Sequence, residues 1–74
     1  MTIISFLEQK NLKIHTINGL AVYRDSIVNH YNLGEEKSYQ QLIDDIKQTL
    51  NIKAFYSCRN DDWLWISVIE KKNA

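Results

Sequence analysis

The chain has no proline, two glycines, one cysteine and one methionine among its 74 residues, and its formal charges cancel to zero. Each scarcity excludes something. With no proline and little glycine, polyproline segments and long irregular connections are ruled out, so regular elements joined by short turns are expected. A single thiol forbids an intramolecular disulfide. His15, His30 and Cys58 also lack the paired spacing of a zinc site. No glycine-rich loop is present to cradle a phosphate. No apolar run nears membrane-spanning length, the longest being Trp63 to Ile69 with Ser67 inside it. At the start, Ile3, Ile4, Phe6 and Leu7 are followed at once by Glu8 and Lys10, with no cationic residues ahead of them as a secretory signal would have. A lone thiol with such a start predicts a cytoplasmic protein. Zero net charge speaks against a dedicated nucleic-acid binder, which carries a basic excess.

What remains is the composition of a folded protein, 45% hydrophobic and 24% charged. Residues 1–74 are expected to form one small domain with one core, near the size at which a core supplies only about 3–5 kcal/mol. The charge is unevenly spread. Asp25, Glu35, Glu36, Asp44, Asp45, Asp61 and Asp62 outnumber the cations of the middle of the chain.

Thr2 is placed to cap a short helix over residues 2–10 that gathers Ile3, Ile4, Phe6 and Leu7 towards one side. Residues 13–24 read as a hairpin around Asn18-Gly19, the dipeptide that suits a type I′ turn. That turn sets Ile17 opposite Leu20, His15 opposite Val22 and Ile14 opposite Tyr23. Asp25 or Ser26 caps a short helix carrying Ile27, Val28 and Tyr31, which Gly34 ends, and Glu35-Glu36-Lys37 is a polar link. Ser38 with Gln41 three residues on is a capping-box pattern, and Tyr39, Leu42, Ile43, Ile46 and Leu50 recur at helical spacing up to Asn51. The back of this helix is polar and acidic. Ile52–Cys58 and Trp63–Glu70 form a second hairpin through Arg59-Asn60-Asp61-Asp62, and Lys71–Ala74 is a polar tail.

This second hairpin carries the most information. A strand pair with one wet side alternates apolar with polar residues. Here both alternating sets are apolar: Ile52, Ala54, Tyr56 and Cys58 with Trp63, Trp65 and Ile69, and Phe55 with Leu64, Ile66 and Val68. Both faces therefore need cover. The helix at 39–50 covers the second set, leaving Tyr56, Trp63 and Trp65 for the N-terminal helix, a second copy or a partner. An exposed terminal strand at 63–70 offers a further route, by adding to another sheet.

The expected fold is α+β, a small two-layer domain with an antiparallel sheet of about four strands (two hairpins) and two or three helices. The alternative is winged-helix-like, with helices near 2–10, 20–32 and 39–50 ahead of the C-terminal hairpin. In that case the helix entering the DNA groove would bring Asp44 and Asp45 towards phosphate, and the wing tip would bring Asp61 and Asp62. No catalytic constellation stands out. Cys58, expected as a buried inert thiol, has no local signature that pairs it with His15 or His30. The adjacent carboxylates read as solvated charge. We therefore expect no enzyme and no cofactor, but a cytoplasmic protein-binding regulator, inhibitor or adaptor that forms a homodimer. The residues expected at its interface are Tyr56, Trp63 and Trp65, with Asp44, Asp45, Asp61 and Asp62 as an acidic rim that steers a basic partner. A winged-helix-like nucleic-acid-binding regulator is the alternative.

Overall fold

A computed structural model describes residues 1–69; Glu70, expected in the last strand, and the tail Lys71–Ala74 lie outside the described residues. The elements run α1 (Ile3–Gln9), β1 (Ile14–His15), β2 (Leu20–Tyr23), α2 (Arg24–Tyr31), α3 (Glu35–Leu50), β3 (Lys53–Arg59) and β4 (Trp63–Ile69). The strands form one antiparallel sheet in the order β1-β2-β4-β3. The domain is thus a small α+β fold with both expected hairpins. Its three helices also stand ahead of the second hairpin, in the element order of the winged-helix alternative.

Local chemistry explains most of the element ends. Thr2 caps α1, its Oγ1 accepting from the Ser5 N–H at 3.1 Å. Asn32 and Asn51 stop α2 and α3 in the left-handed conformation (φ 55° and 52°), which asparagine tolerates better than most residues. Gly34, at φ 84°, does not end α2; it is the N-cap of α3. The helix therefore begins four residues earlier than the capping-box pattern implied. Glu35 and Glu36 occupy its first turn, where carboxylates suit the positive end of the helix dipole. Ser38 is buried inside the helix instead of capping it, and its Oγ accepts from the Leu33 N–H at 3.2 Å.

The core lies between the helices and one face of the sheet. Phe6 and Leu7 of α1, Ile27 of α2 and Tyr39, Leu42, Ile43 and Ile46 of α3 meet Val22, Ala54, Leu64 and Ile66 of the strands. Arg24 pins this assembly at one end. Its Nε donates to the Tyr39 hydroxyl at 2.7 Å, its guanidinium pairs with Glu35, and Nη1 donates to the carbonyls of Asn60 and Asp61 in the β3–β4 turn. One residue thereby joins α2, α3 and the tip of the hairpin.

Two registers differ from expectation, each by one residue. In the first hairpin Ile14 pairs with Val22 and His15 with Ala21, around a loop of Thr16 to Gly19. Asn18 and Gly19 do adopt positive φ (57° and 104°). The Ile17 N–H, however, turns inward to His15 Nδ1 at 3.3 Å and leaves the ladder. This slip puts Ile14 and Val22 together on the core side, whereas the expected register would have set His15 beside Val22. In the second hairpin the register shifts between Tyr56 and Cys58. Ala54 and Tyr56 therefore join Leu64, Ile66 and Val68 on the helix side, and Phe55 points the other way.

Candidate functional site: the open face of the sheet

Because all three helices pack on one side, the opposite face of the sheet has no covering layer among the described residues. The N-terminal helix does not complete a three-layer core. Phe6 and Leu7 belong to the same core as α3, so α1 lies on the helix side.

Strand pairing lays out the open face in rows. At the β3–β4 turn end, Lys13 (just ahead of β1) lies beside Tyr23 and Tyr23 beside Trp63. The next row is His15, Ala21, Trp65 and Cys58. Ser67 and Phe55 follow, then Ile69 and Lys53. Phe55 is 50% exposed and Ile69 55%, while Trp63 and Trp65 are half-buried. The aromatic rings brace one another edge-on. The His15 ring lies 4.2 Å from Trp63 and 6.0 Å from Trp65, and Tyr23 lies 5.4 Å from Trp63, all in T-shaped arrangements. Lys13 Nζ sits 5.2 Å from the centre of the Tyr23 ring. Gly19 leaves room at the corner: a Cβ there would stand 3.8 Å from Trp65 Cδ1, on a backbone at φ 104° that L side chains rarely adopt.

Trp63 and Trp65 therefore share a face as expected, but Tyr56 is not with them. The bulge turns it to the helix side, where its ring is 6.4 Å from Tyr39 and its hydroxyl donates to Glu36 at 3.3 Å. Phe55 takes its place on the open face. The same bulge brings Cys58 out beside Trp65, so the thiol is exposed rather than buried. His15 and Cys58 end the same row with Ala21 and Trp65 between them, three strand spacings or about 14 Å apart. That separation excludes a thiolate–imidazole pair between these two residues. Among the described residues no group of three or more His, Cys, Asp or Glu side chains is placed to hold a metal ion.

The expected acidic rim is not continuous. Asp44 and Asp45 lie on α3 in the helical layer, away from the tryptophans. Asp45 accepts from the Tyr31 hydroxyl at 2.6 Å and from Gln41 Nε2 at 2.9 Å, and Lys10 Nζ stands 3.7 Å away. Burial raises the proton affinity of Asp45, but these partners outweigh it and hold the carboxyl below the ordinary value of 3.8. Burial pushes the Tyr31 hydroxyl well above its usual range, and the hydrogen bond to Asp45 adds to this. Asp44 accepts from Gln40 Nε2 at 3.4 Å. Only Asp61 and Asp62, exposed in the β3–β4 turn, border the aromatic face. Asn60 shapes that turn, its Oδ1 accepting from the N–H groups of Asp62 and Trp63 at 2.9 and 2.7 Å.

The edge of the sheet also differs from expectation. β4 is an inner strand between β2 and β3, so it offers no free edge, and the long edge strand is β3. Its bulge and its flanking Lys53 and Arg59 blunt it against pairing with another sheet. Arg59 faces the helical layer and pairs with Glu36, whose carboxyl that bond holds below its ordinary value.

Two clefts lie elsewhere on the surface of the described residues. One, of about 310 Å³, lies between Met1, Thr2, Ile3, Leu50, Ile52 and Val68, a lining without a titratable side chain. The other, of about 330 Å³, is shallow and contains Ser26 and His30 on α2. The Ser26 hydroxyl donates to the Tyr23 carbonyl at 2.7 Å, not to the imidazole.

No protein family matches the chain, and no curated protein or solved structure matches it either. No helix among the described residues is long and apolar enough to cross a membrane.

Proposed function

We propose that this chain is a small, non-catalytic protein-binding module, acting in the cytoplasm as a regulator, inhibitor or adaptor, and that it docks its partner on the open face of the sheet. The observation that carries this reading is the pair Phe55 and Ile69, about half exposed near Trp63 and Trp65, on a face that no helix among the described residues covers. Contiguous apolar patches of a few hundred Å² on a small protein mark interaction sites. Tryptophan and tyrosine are the residues that dominate interface energetics. The non-catalytic part of the reading rests on the wide separation of His15 from Cys58 and on Ser26 donating to the backbone. The cytoplasmic part rests on the single unpaired thiol.

The nucleic-acid alternative has less support. Single-strand binders set aromatic platforms in a basic groove. Among the described residues the cations on this face are Lys13 and Lys53, and the rings pack edge to face against one another. Both arginines are engaged within the chain, Arg24 with Glu35 and Arg59 with Glu36. A groove-reading role for α3 meets Glu35, Glu36 and Asp44 on its outer surface and Asp61 and Asp62 at the hairpin tip.

The test compares wild type with Phe55→Glu by chemical crosslinking in the producing cell. Circular dichroism checks that the variant keeps its fold. We expect wild type to enter protein complexes, homotypic or heterotypic, and the variant to lose them. A wild type that crosslinks to nothing, or a folded variant that crosslinks equally well, would falsify the proposal.

A further inference from the structure

We infer that the partner on the open face is a second copy of this chain, packed face to face about a twofold axis lying in the interface plane. The inference rests on the protein-binding reading above and adds the identity of the partner.

The arrangement of charge on the face carries it. Among the described residues, the charged side chains on this face are Lys13 and Lys53, and they occupy diagonal corners. Lys13 sits beside Tyr23 on the β1 edge, at the β3–β4 turn end. Lys53 sits opposite Ile69 on the β3 edge, at the far end. Among the described residues, the carboxylates bordering the face are Asp61 and Asp62, together in the turn at one end. Two such faces brought together by an in-plane twofold axis match in charge. If the axis runs across the strands, Lys53 of each copy lies over the Asp61–Asp62 turn of the other. If it runs along the strands, Lys13 of each copy does. Either axis joins lysine to carboxylate twice and stacks the apolar rows on one another. Such self-complementarity is what an isologous interface requires. Zero net charge adds no long-range repulsion between copies. The blunted β3 edge disfavours the competing route, a continuous sheet across two chains.

The size of the face sets the expected strength. The 20 residues of the four strands, each about 3.4 Å along and about 4.8 Å across, give roughly 330 Å² in projection. A stable complex buries about 800 Å² of accessible surface per partner, so this dimer belongs to the weak, reversible class. Its formation would leave the acidic outer surface of α3 as the surface open to any other protein.

Sedimentation equilibrium over a concentration series tests the inference on wild type and folded variants. A reversible dimer is expected, with a dissociation constant on the order of micromolar. Phe55→Glu should raise that constant by more than about tenfold, since it sets a charge in the apolar centre of the interface. The double change Asp61→Lys with Asp62→Lys should weaken the dimer by about two- to fivefold, the scale of rim ion pairs. In that background either Lys53→Glu or Lys13→Glu should restore it, and the one that does identifies the axis. A dimer indifferent to Phe55→Glu or to the charge reversal overturns the face-to-face arrangement. A monomer at every concentration overturns the second copy as partner. If crosslinking still finds a foreign protein lost with Phe55→Glu, the protein-binding reading survives; if it finds none, both fail. A monomer that instead binds a thymidine oligonucleotide, with affinity falling about a thousandfold between low and moderate salt, overturns both in favour of nucleic acid.

Discussion

Leu64 and Trp65 are neighbours on β4, and their side chains leave the sheet in opposite directions. Leu64 is fully buried against the helical layer, with Val22 beside it. Trp65 is half-buried, braced by His15 and by the glycine corner, with no layer above it among the described residues. One face of the sheet is therefore held by close packing against helices, the other by aromatic edges meeting across strands. The first arrangement gives the domain its stability. The second leaves apolar surface in water, a cost to an isolated monomer that burial against another protein removes. The contrast predicts that mutations on the two faces separate cleanly into those that unfold the protein and those that weaken only the proposed association.

The sharpest test of the covered face is Leu64→Ala. Removing a fully buried leucine costs about 3 kcal/mol, a large share of what a domain this small possesses. Urea denaturation should find the variant only marginally folded, with its midpoint moved close to zero denaturant. A midpoint close to that of wild type would show that the helical layer does not grip β4.

Arg24→Ala should be the next most damaging. It leaves Tyr39 and Glu35 only each other and removes the side-chain ties between α2 and the β3–β4 turn. Losing these bonds in a half-buried site costs about 2 kcal/mol. Amide exchange should then rise first at Asn60–Trp63, because the Arg24 N–H to Asp62 carbonyl bond (2.8 Å) closes the same contact. Exchange that rises uniformly instead would mean the residue stabilises the whole domain without anchoring the turn.

Asp45 gives a smaller effect with a definite sign. Its folded carboxyl binds a proton less readily than the unfolded one, because Tyr31, Gln41 and Lys10 favour the charged form over the opposing effect of burial. Its stabilisation is therefore complete above the ordinary value of 3.8 and is lost as pH falls through the lower folded value. Asp45→Asn should lower the urea midpoint near neutral pH, and the gap to wild type should close as pH falls below 3.8 and through the lower folded value. A gap that stays constant with pH would assign the effect to packing.

The helical layer was the more legible half of this molecule. Thr2, the spacing of Leu42, Ile43 and Ile46, and the stop at Asn51 each act locally, and each appears where the sequence places it. The sheet was less legible because its side assignments depend on single-residue registers. The inward turn of the Ile17 N–H to His15 and the bulge between Tyr56 and Cys58 each moved a strand by one position. Neither leaves a mark in the alternation of apolar residues. The bulge exchanged Phe55 for Tyr56 at the candidate site, and a polar hydroxyl on Tyr56 was the one available hint that it would seek Glu36 rather than the open face. Glu35 and Glu36 looked like a linker because Ser38 resembles a cap; Gly34 made the earlier start available.

The smallest expected stability effect is also the one that best separates the two faces. Phe55→Ala removes a side chain that is half exposed on an edge strand, and surface changes of this kind stay within about 0.5 kcal/mol. The same change removes the most exposed aromatic ring of the open face, so complex formation should weaken well beyond what that stability change explains. The decisive comparison is between the urea midpoint and the association constant of one variant. If Phe55→Ala lowers the midpoint as Leu64→Ala does, the ring is part of the core and the open face is not an interface. If the midpoint holds while association falls, the exposed ring serves recognition, and the two faces of the sheet have the separate roles their burial implies.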